Sequence, residues 1–300
     1  MYALEIAALI ALAGLVLVAW QYQRHLRARR HCAEDDQPLL CRPRAFHLLV
    51  YFRVPDGERV VETARQFWQR VRGAGPVRLV YAGQAVFTAG SGQLPHNEWS
   101  GLVVLQYPSR AALEAPAVQS QLSRARELFA NSYLHGMHRN TGLGLLMPLA
   151  LLGIRSVDLL HGRWRWPPME KLPAFDTFPR YDDWRQRITR LRAAQTINPG
   201  GLVAWYLVRK RNPRELPGDR EHSSEMLSRM AALGYGPLHI GRSQALEGDA
   251  QFDHVFAVHY PSAAYFAELV SSGFYQHILY EQYRLDSVSV PTVPVTAQVA

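Results

Sequence analysis

The chain has 300 residues, of which 48% are hydrophobic and 19% are charged, and its formal net charge is +8. This composition excludes a disordered chain, because disordered chains bury too little apolar surface to offset the entropy lost on folding. Two cysteines in 300 residues also exclude a small scaffold held together by disulfides.

The first predicted element is an uncharged apolar run at residues 6–20. As a helix with its flanks, it is just long enough to cross the hydrocarbon core of a bilayer. The basic cluster that follows it, typical of a cytoplasmic flank, consists of Arg24, Arg27, Arg29 and Arg30. A cleaved signal peptide is the alternative, but no Lys or Arg precedes the run and no small-residue cleavage site follows it. The sequence therefore predicts a single-pass anchor at residues 1–30, held by lipid in the inner membrane, with the soluble part in the cytoplasm.

Residues 31–45 are predicted to be a linker that carries both cysteines, Cys32 and Cys41. Their spacing matches no zinc pattern, and no second pair completes a site. A reducing cytoplasm disfavours a disulfide. The pattern predicts two unremarkable thiols near the membrane.

One stretch of the chain occurs twice, as WSGLVVLQYPSRAAL at residues 99–113 and FDHVFAVHYPSAAYF at residues 252–266. Each copy has strand character up to a Tyr-Pro-Ser triplet and helix character after it. Proline cannot donate to a strand ladder, so Pro108 and Pro261 end the strands. Ser109 and Ser262 then stand where a serine oxygen caps a helix N-terminus.

The surroundings of the two copies repeat as well. Two units, at residues 46–147 and 202–290, each read strand–helix–strand–strand–helix, with a last strand predicted at residues 143–147 and 285–290. This order is the ferredoxin-like arrangement, so the fold class is α+β with two βαββαβ units.

The repeat resembles the dimeric α/β-barrel superfamily, and within it a small uncharacterised bacterial domain family. The residues that carry the resemblance are Tyr107-Pro108-Ser109 and Tyr260-Pro261-Ser262, with Tyr275-Gln276 after the second copy. The first copy departs from the family pattern at that pair and reads Val118-Gln119. The resemblance implies that tandem copies of this domain close face to face within one chain, as an intrachain pseudo-dimeric α/β barrel.

The connector at residues 148–201 contains an apolar segment and a basic helix. The apolar segment, residues 143–154, is too short to span a bilayer and is interrupted by Pro148. It is predicted to lie on the membrane surface, to form the last strand of the first unit, or to pack under the barrel. The basic helix, residues 182–194, is predicted to pack on the barrel, with a position on anionic lipid as the alternative. The tail at residues 291–300 has no pattern and is predicted to fray.

Motifs for known chemistry are absent from the sequence. His135 and His138 come nearest to metal-ligand spacing, but no third ligand lies nearby, and neither a metal nor a cofactor is predicted. The excess positive charge follows no nucleic-acid-binding motif, so no nucleic-acid partner is predicted. The candidate ligand-binding residues, all from the repeat, are His254, His259, Tyr260, Gln106 and Tyr107.

His254 and His259 fall on opposite faces of one strand, so at most one of them faces a given cavity. The first functional hypothesis is a membrane-anchored barrel that binds a small apolar ligand or a membrane-complex partner. A cofactor-independent monooxygenase-like or isomerase-like enzyme, using a barrel histidine with a tyrosine, is the first alternative. A haem-binding barrel with a histidine as axial ligand is the second.

Overall fold

The computed structural model describes most of the chain. The described residues are 2–32, 45–55, 59–90, 98–139, 141–165, 169, 181–197, 201–209, 219–233, 236–249, 251–273, 275 and 287–300. The helices are α1 (Tyr2–Cys32), α2 (Val60–Val71), α3 (Arg110–Glu114), α4 (Pro116–Arg126), α5 (Thr141–Leu160), α6 (Tyr181–Ile197), α7 (Asp219–Leu233), α8 (Ala263–Ser271) and α9 (Thr296–Val299). The strands are β1 (Phe46–Arg53), β2 (Arg78–Ala85), β3 (Ala89–Gly90), β4 (Gly101–Tyr107), β5 (Asn131–Arg139), β6 (Leu202–Val208), β7 (Pro237–Ala245), β8 (His254–Tyr260) and β9 (Val288–Pro294).

Eight of these strands close into an antiparallel barrel. The first half has the order β2-β4-β1-β5 and the second half has the order β7-β8-β6-β9, which is the same order within each half. The last strand of each half pairs with the second strand of the other, in the seams β5–β7 and β9–β2. Closure leaves these strands no free edge. The α+β class and the barrel are therefore confirmed.

The β9–β2 seam is reinforced by side chains. The Tyr81 and Thr292 hydroxyls lie 2.5 Å apart, and Thr292 donates to the carbonyl oxygen of Val203 on β6 at 2.8 Å. Both side chains are buried. Buried hydroxyls need hydrogen-bond partners, so this hydrogen-bonded pair fixes the register at which the second half meets the first.

The two Tyr-Pro-Ser junctions have the predicted geometry. The Ser109 Oγ accepts from the amide of Ala112 at 3.1 Å, and the Ser262 Oγ accepts from the amide of Tyr265 at 3.0 Å. Each serine has the extended backbone of a helix N-cap. The serine caps are confirmed.

The last strand of the first half differs from its prediction. Residues 143–147 belong to helix α5, and the strand is β5, which ends earlier at Arg139. A short apolar run does not distinguish a buried strand from a helix, and Pro148 sits inside the helix. The prediction of a strand at residues 143–147 is wrong.

The C-terminal tail is ordered, contrary to its prediction. Strand β9 continues through Pro291 to Pro294, and α9 follows it. Val295 and Val299 are buried in the apolar cluster between the first half and its helices. The end of the chain therefore packs on the half that lies farthest from it in sequence.

Helices cover the outside of the barrel. Helix α2 contributes Phe67 and α4 contributes Leu122 to the cluster outside the first half. Helix α6 contributes Leu191 and α8 contributes Phe266 to the cluster outside the second half. The basic helix α6 thus packs on the barrel. A third cluster fills the lumen, where the inward-facing residues of all eight strands meet.

Candidate functional site

The candidate site is the barrel lumen, which is apolar but contains several imidazoles. Alternation along each strand points one set of side chains inward. Among the inward-facing residues are the aromatic side chains of Tyr51, Tyr81, Tyr133 and Trp205. The buried polar residues at matching inward positions are His47, Gln106, His135, Arg139, His239 and His259.

The end of helix α1 closes one mouth of the barrel. Ala28 and Cys32 belong to the lumen cluster, and the Cys32 side chain is fully buried. His25 and Arg29, on the same side of the helix, are buried too. The Arg24 guanidinium donates to the carbonyl oxygen of Leu233, at the end of α7, at 2.7 Å. The last turns of α1 therefore form a plug, which we define as residues 21–32.

The plug shows that the predicted linker, residues 31–45, was placed too early in the chain. Residues 31 and 32 are still helical, and Cys32 lies inside the barrel rather than beside the membrane. Cys41 lies outside the described residues. Sequence analysis could not predict this burial, because a buried thiol and an exposed one look alike in a basic segment.

Two histidines from opposite halves meet beneath the plug. The rings of His47 on β1 and His239 on β7 lie 4.9 Å apart and perpendicular to each other. Within the described part of the chain, neither ring has a hydrogen-bond partner for either nitrogen. Burial lowers the pKa of His47 to about 3, with a further contribution from the positive charges of Arg139 and Arg29. Burial also lowers the pKa of His239, so both imidazoles are neutral at neutral pH.

The other two lumen histidines have different neighbours. The ring of His259 stacks on the ring of His31, in the plug, at 4.3 Å. Burial, with a smaller contribution from the neighbouring His31, lowers the pKa of His259 to about 4. His135 lies between Tyr133 and Ser243, with the Tyr133 hydroxyl 3.2 Å from Nδ1 and the Ser243 hydroxyl 2.6 Å from Nε2. Burial lowers the pKa of His135 to about 4.

The predicted site residues divide between the two faces of the sheet. His259 and Gln106 point into the lumen, where Gln106 lies opposite His47 in the β1–β4 ladder. Tyr107 packs outward in the first-half cluster. Tyr260 packs outward in the second-half cluster, 3.0 Å from the Tyr206 hydroxyl, and His254 is half-buried on that same outer face. The structure therefore does not bring the five residues together.

Sequence reasoning missed the His47–His239 pair. His47 could have been recognised as inward-facing, because it alternates with Leu49 and Tyr51. Its partner could not, because β1 and β7 are far apart in sequence and are brought close only by the β5–β7 seam, where β5 lies between them.

A polar surface cleft lies at the opposite end of the barrel. A cleft of about 380 Å³ lies where β1 ends and β4 begins. Its lining includes Arg53, Thr88, Trp99, Ser100 and Arg190. Across the described residues, His, Cys, Asp and Glu form no group of three that could hold a metal ion.

No protein-family model and no curated protein matches the chain. Similar solved structures include a candidate monooxygenase from Fusobacterium nucleatum subsp. nucleatum, at 7% identity and a TM-score of 0.38, covering 84% of this chain and 92% of that chain. A mutant chlorite dismutase from Candidatus Nitrospira defluvii matches at 10% identity and a TM-score of 0.41, covering 88% and 98%. A protein of unknown function from Rhodopseudomonas palustris matches at 19% identity and a TM-score of 0.23, covering 33% and 85%. At such low identity and TM-score these matches carry no functional argument.

The lumen histidines make stability depend on pH. The unfolded chain takes up protons on these imidazoles below about pH 6.5, while folded His135 and His259 do so only near pH 4. Because the unfolded state then binds more protons, this stability is fully present above about pH 6.5 and is lost as the pH falls to about 4. Each group contributes up to about 1.4 kcal/mol per pH unit in that window.

Thermal unfolding of the detergent-solubilised protein between pH 7.5 and pH 5 measures this dependence. The His239→Phe variant is expected to show a shallower fall in Tm than the parent chain. The matched control is His254→Gln, on the half-buried outer face, which should keep the parent slope. A Tm that stays constant across this range would show that the imidazoles are not buried in the neutral form.

Proposed function

We propose that the protein is a single-pass inner-membrane protein whose cytoplasmic barrel is a non-catalytic binding module. Its ligand is a small apolar molecule, or its partner is another component of a membrane complex. The two halves, on this proposal, are tandem copies of one small domain. The observation that carries the proposal is that one unbroken helix, α1, joins an exposed apolar segment to the plug inside the barrel.

The first part of α1 has the exposure of a helix surrounded by lipid. Leu9, Leu12 and Leu15 are 66%, 58% and 67% exposed. By length and composition, the segment Glu5–Cys32 is able to cross a membrane, with a mean hydropathy of 1.8 in its most apolar window. A signal sequence near the N-terminus shares that composition. A signal sequence, however, is removed, whereas the end of this helix is part of the folded core.

The chemistry of the lumen lining favours a small apolar ligand, which would enter only if the side chains that fill the lumen in this structure rearrange. The lining is aromatic and aliphatic, and the neutral rings of His47 and His239, which have no hydrogen-bond partner among the described residues, offer hydrogen bonds to one polar group on such a ligand. Access from the plugged end requires the plug to move. On this proposal the plug and the anchor are parts of one helix, so a movement of the anchor in the membrane would also move the plug and change access to the lumen.

Membrane extraction tests the anchor. A Leu12→Arg substitution places a charge at the centre of the span, where it costs about 2.5–3.5 kcal/mol. We expect alkaline carbonate to release this variant and not the parent chain. Leu26→Arg is the matched control, since Leu26 lies beyond the apolar run at residues 6–20 and beside Arg24 and Arg27. Release of the parent chain by carbonate would contradict the anchor.

Reporter fusions at Ala300 test the orientation. A fluorescent protein fused there should fluoresce, and alkaline phosphatase fused there should be inactive, because the basic flank stays in the cytoplasm. The reverse pair of results would place the barrel on the other side of the membrane.

One observation favours an enzyme instead. His135 is a buried neutral imidazole held between Tyr133 and Ser243, which is the arrangement of a general base with an orienting group. The chemistry would be cofactor-independent monooxygenase-like or isomerase-like. Because both ring nitrogens are hydrogen-bonded, His135 would receive the substrate proton through the Tyr133 or Ser243 hydroxyl, which would pass its own proton to the ring and take up the proton of the substrate. Menadiol serves as a hydroquinone probe, and oxygen uptake is measured above its autoxidation. Uptake that is lost in His135→Gln and kept in His138→Gln would support the enzyme. An absorption spectrum with a Soret band would instead support haem binding.

A further inference from the structure

Helix α5 presents a stripe of exposed apolar side chains. Leu146, Leu149, Val157 and Leu160 are 60%, 39%, 53% and 86% exposed. Their spacing of three, eight and three residues keeps them on one face of the helix. Trp164, just beyond the helix, is 70% exposed. We call these five residues the α5 stripe.

The opposite face of α5 is fixed to the protein. Leu151 is buried and lies against Gly236 at the start of β7. Asp158 is buried as well, and its carboxylate lies 3.5 Å from the guanidinium of Arg163. Helix α5 packs against α1, α7 and β7. The α5 stripe therefore faces away from the body of the protein because the other face is already occupied.

The end of α5 is a defined turn. Gly162 has a φ of +75°, a left-handed conformation in which glycine ends a helix without strain. The Arg155 guanidinium donates to the carbonyl oxygens of Arg163 and Trp164, at 3.1 and 2.8 Å. These contacts hold Trp164 close to the helix end, so the indole continues the stripe.

Among the described residues, large exposed hydrophobic side chains occur only in α1, in α5 and in the turn that follows α5. Every large hydrophobic side chain that is exposed among the described residues lies either in α1 or in the α5 stripe. Helices α1 and α5 pack against each other, so the two exposed surfaces are carried by neighbouring helices. Soluble proteins rarely expose a contiguous apolar patch of this kind unless something covers it.

The composition of α5 indicates what covers it. Pro148 and the charged pair Arg155 and Asp158 make the helix unsuitable for crossing a bilayer. The apolar face of α5 is followed by an indole and by the exposed side chains of Arg163 and Arg165. This sequence of side chains suits the boundary between lipid tails and anionic headgroups.

We infer that the α5 stripe lies in the membrane interface beside α1, as a second and non-spanning contact with anionic lipid. This inference rests on the proposed anchoring by α1. Two contacts fix the orientation of the barrel where one would leave it free to swivel. The plugged end then faces the bilayer, and the polar cleft lined by Arg53, Trp99 and Arg190 faces the cytoplasm.

Spin labels on the full-length chain test the inference. The chain carries Cys41→Ser, the buried Cys32 is out of reach of the labelling reagent, and the protein is held in nanodiscs of phosphatidylcholine and phosphatidylglycerol. Labels are placed one at a time at Leu146→Cys, Val157→Cys and Leu160→Cys. The references are Leu12→Cys in the proposed span and Ser120→Cys on the exposed face of α4. Collision rates with oxygen, which prefers lipid, and with a nickel chelate, which prefers water, give the depth of each label.

We expect all three α5 labels to favour oxygen, as the Leu12 label does, and the Ser120 label to favour nickel. Nickel access at the α5 positions, with the Leu12 label still in lipid, would overturn the inference and leave the anchor intact. Protection of the α5 labels from both reagents would also overturn it, because it would mean that a protein surface, such as a second copy of the chain, covers the stripe. A Leu12 label that favours nickel would contradict the anchor itself.

Discussion

Trp205→Ala is expected to lower the free energy of unfolding by about 3–5 kcal/mol, one of the two largest losses that we expect from a single substitution in this chain. Trp205 is fully buried in the lumen. Its ring lies 5.5 Å from that of Tyr81 in the other half of the barrel and 5.8 Å from that of His239. Removing the indole leaves a cavity between the halves that packed neighbours cannot fill by relaxing.

Chemical denaturation followed by circular dichroism, on detergent-solubilised protein, measures the loss. Trp164→Ala is the matched control, because the same side chain is removed from an exposed position and the change should stay within about 0.5 kcal/mol. Equal losses in the two variants would show that Trp205 does not occupy the core of a closed barrel.

Gly241→Val is expected to destabilise the protein by about 3 kcal/mol, at the upper end of the range for overpacking. Gly241 lies in the β5–β7 seam opposite Arg139. A Cβ atom added there would lie 2.6 Å from the carbonyl oxygen of His138, on the neighbouring strand. Because this contact is with backbone, the clash is relieved only by moving the strands apart. The halves of the barrel should then separate at this seam first.

Gly153→Val is the matched control for the seam. Gly153 lies in helix α5, and no atom lies within 4 Å of a Cβ added there. The same substitution should therefore leave the Tm unchanged or raise it, since glycine is a poor residue inside a helix. Hydrogen exchange read by mass spectrometry should show faster exchange in β5 and β7 of Gly241→Val. An unchanged exchange pattern would argue against a closed seam.

Local sequence signals predicted the parts of the fold that depend on local chemistry. The Tyr-Pro-Ser triplets place a strand end and a serine cap within a few residues, so both junctions followed from elementary rules. Strands β4 and β8 have enough apolar and β-branched residues to be recognised. The order of elements in each half then limits the topology to very few arrangements.

The failures at the C-terminal end of the chain have one physical origin, which is pairing between distant parts of the chain. The last strand of the second half was predicted to end at residue 290, but β9 continues through Pro291 to Pro294 because ladders to β2 and β6 hold it. The C-terminal helix is stabilised by the first half of the barrel rather than by its own sequence. Residues 143–147 read as a strand because an apolar run carries no information about its period when it is this short.

The same origin explains why the candidate site was only partly predicted. His259 and Gln106 were identified because the repeat drew attention to β8 and β4. Their functional setting comes from His31 and Cys32 at the end of α1, which looked like linker. A basic segment with the composition of an anchor flank can still be part of the core, so the burial of these residues shows only in three dimensions.

The reactivity of Cys32 tests most directly the claim that the anchor helix ends inside the barrel. The chain carries Cys41→Ser, is held in lipid nanodiscs and is treated with N-ethylmaleimide, and intact mass reports the modification. The control is Arg30→Cys combined with Cys32→Ala, which puts a thiol at an exposed position two residues earlier. The account predicts that Cys32 stays unmodified in the folded protein, while the control thiol reacts at once and denaturant exposes Cys32. Modification of Cys32 in the folded protein as fast as the control thiol would show that the plug is not there.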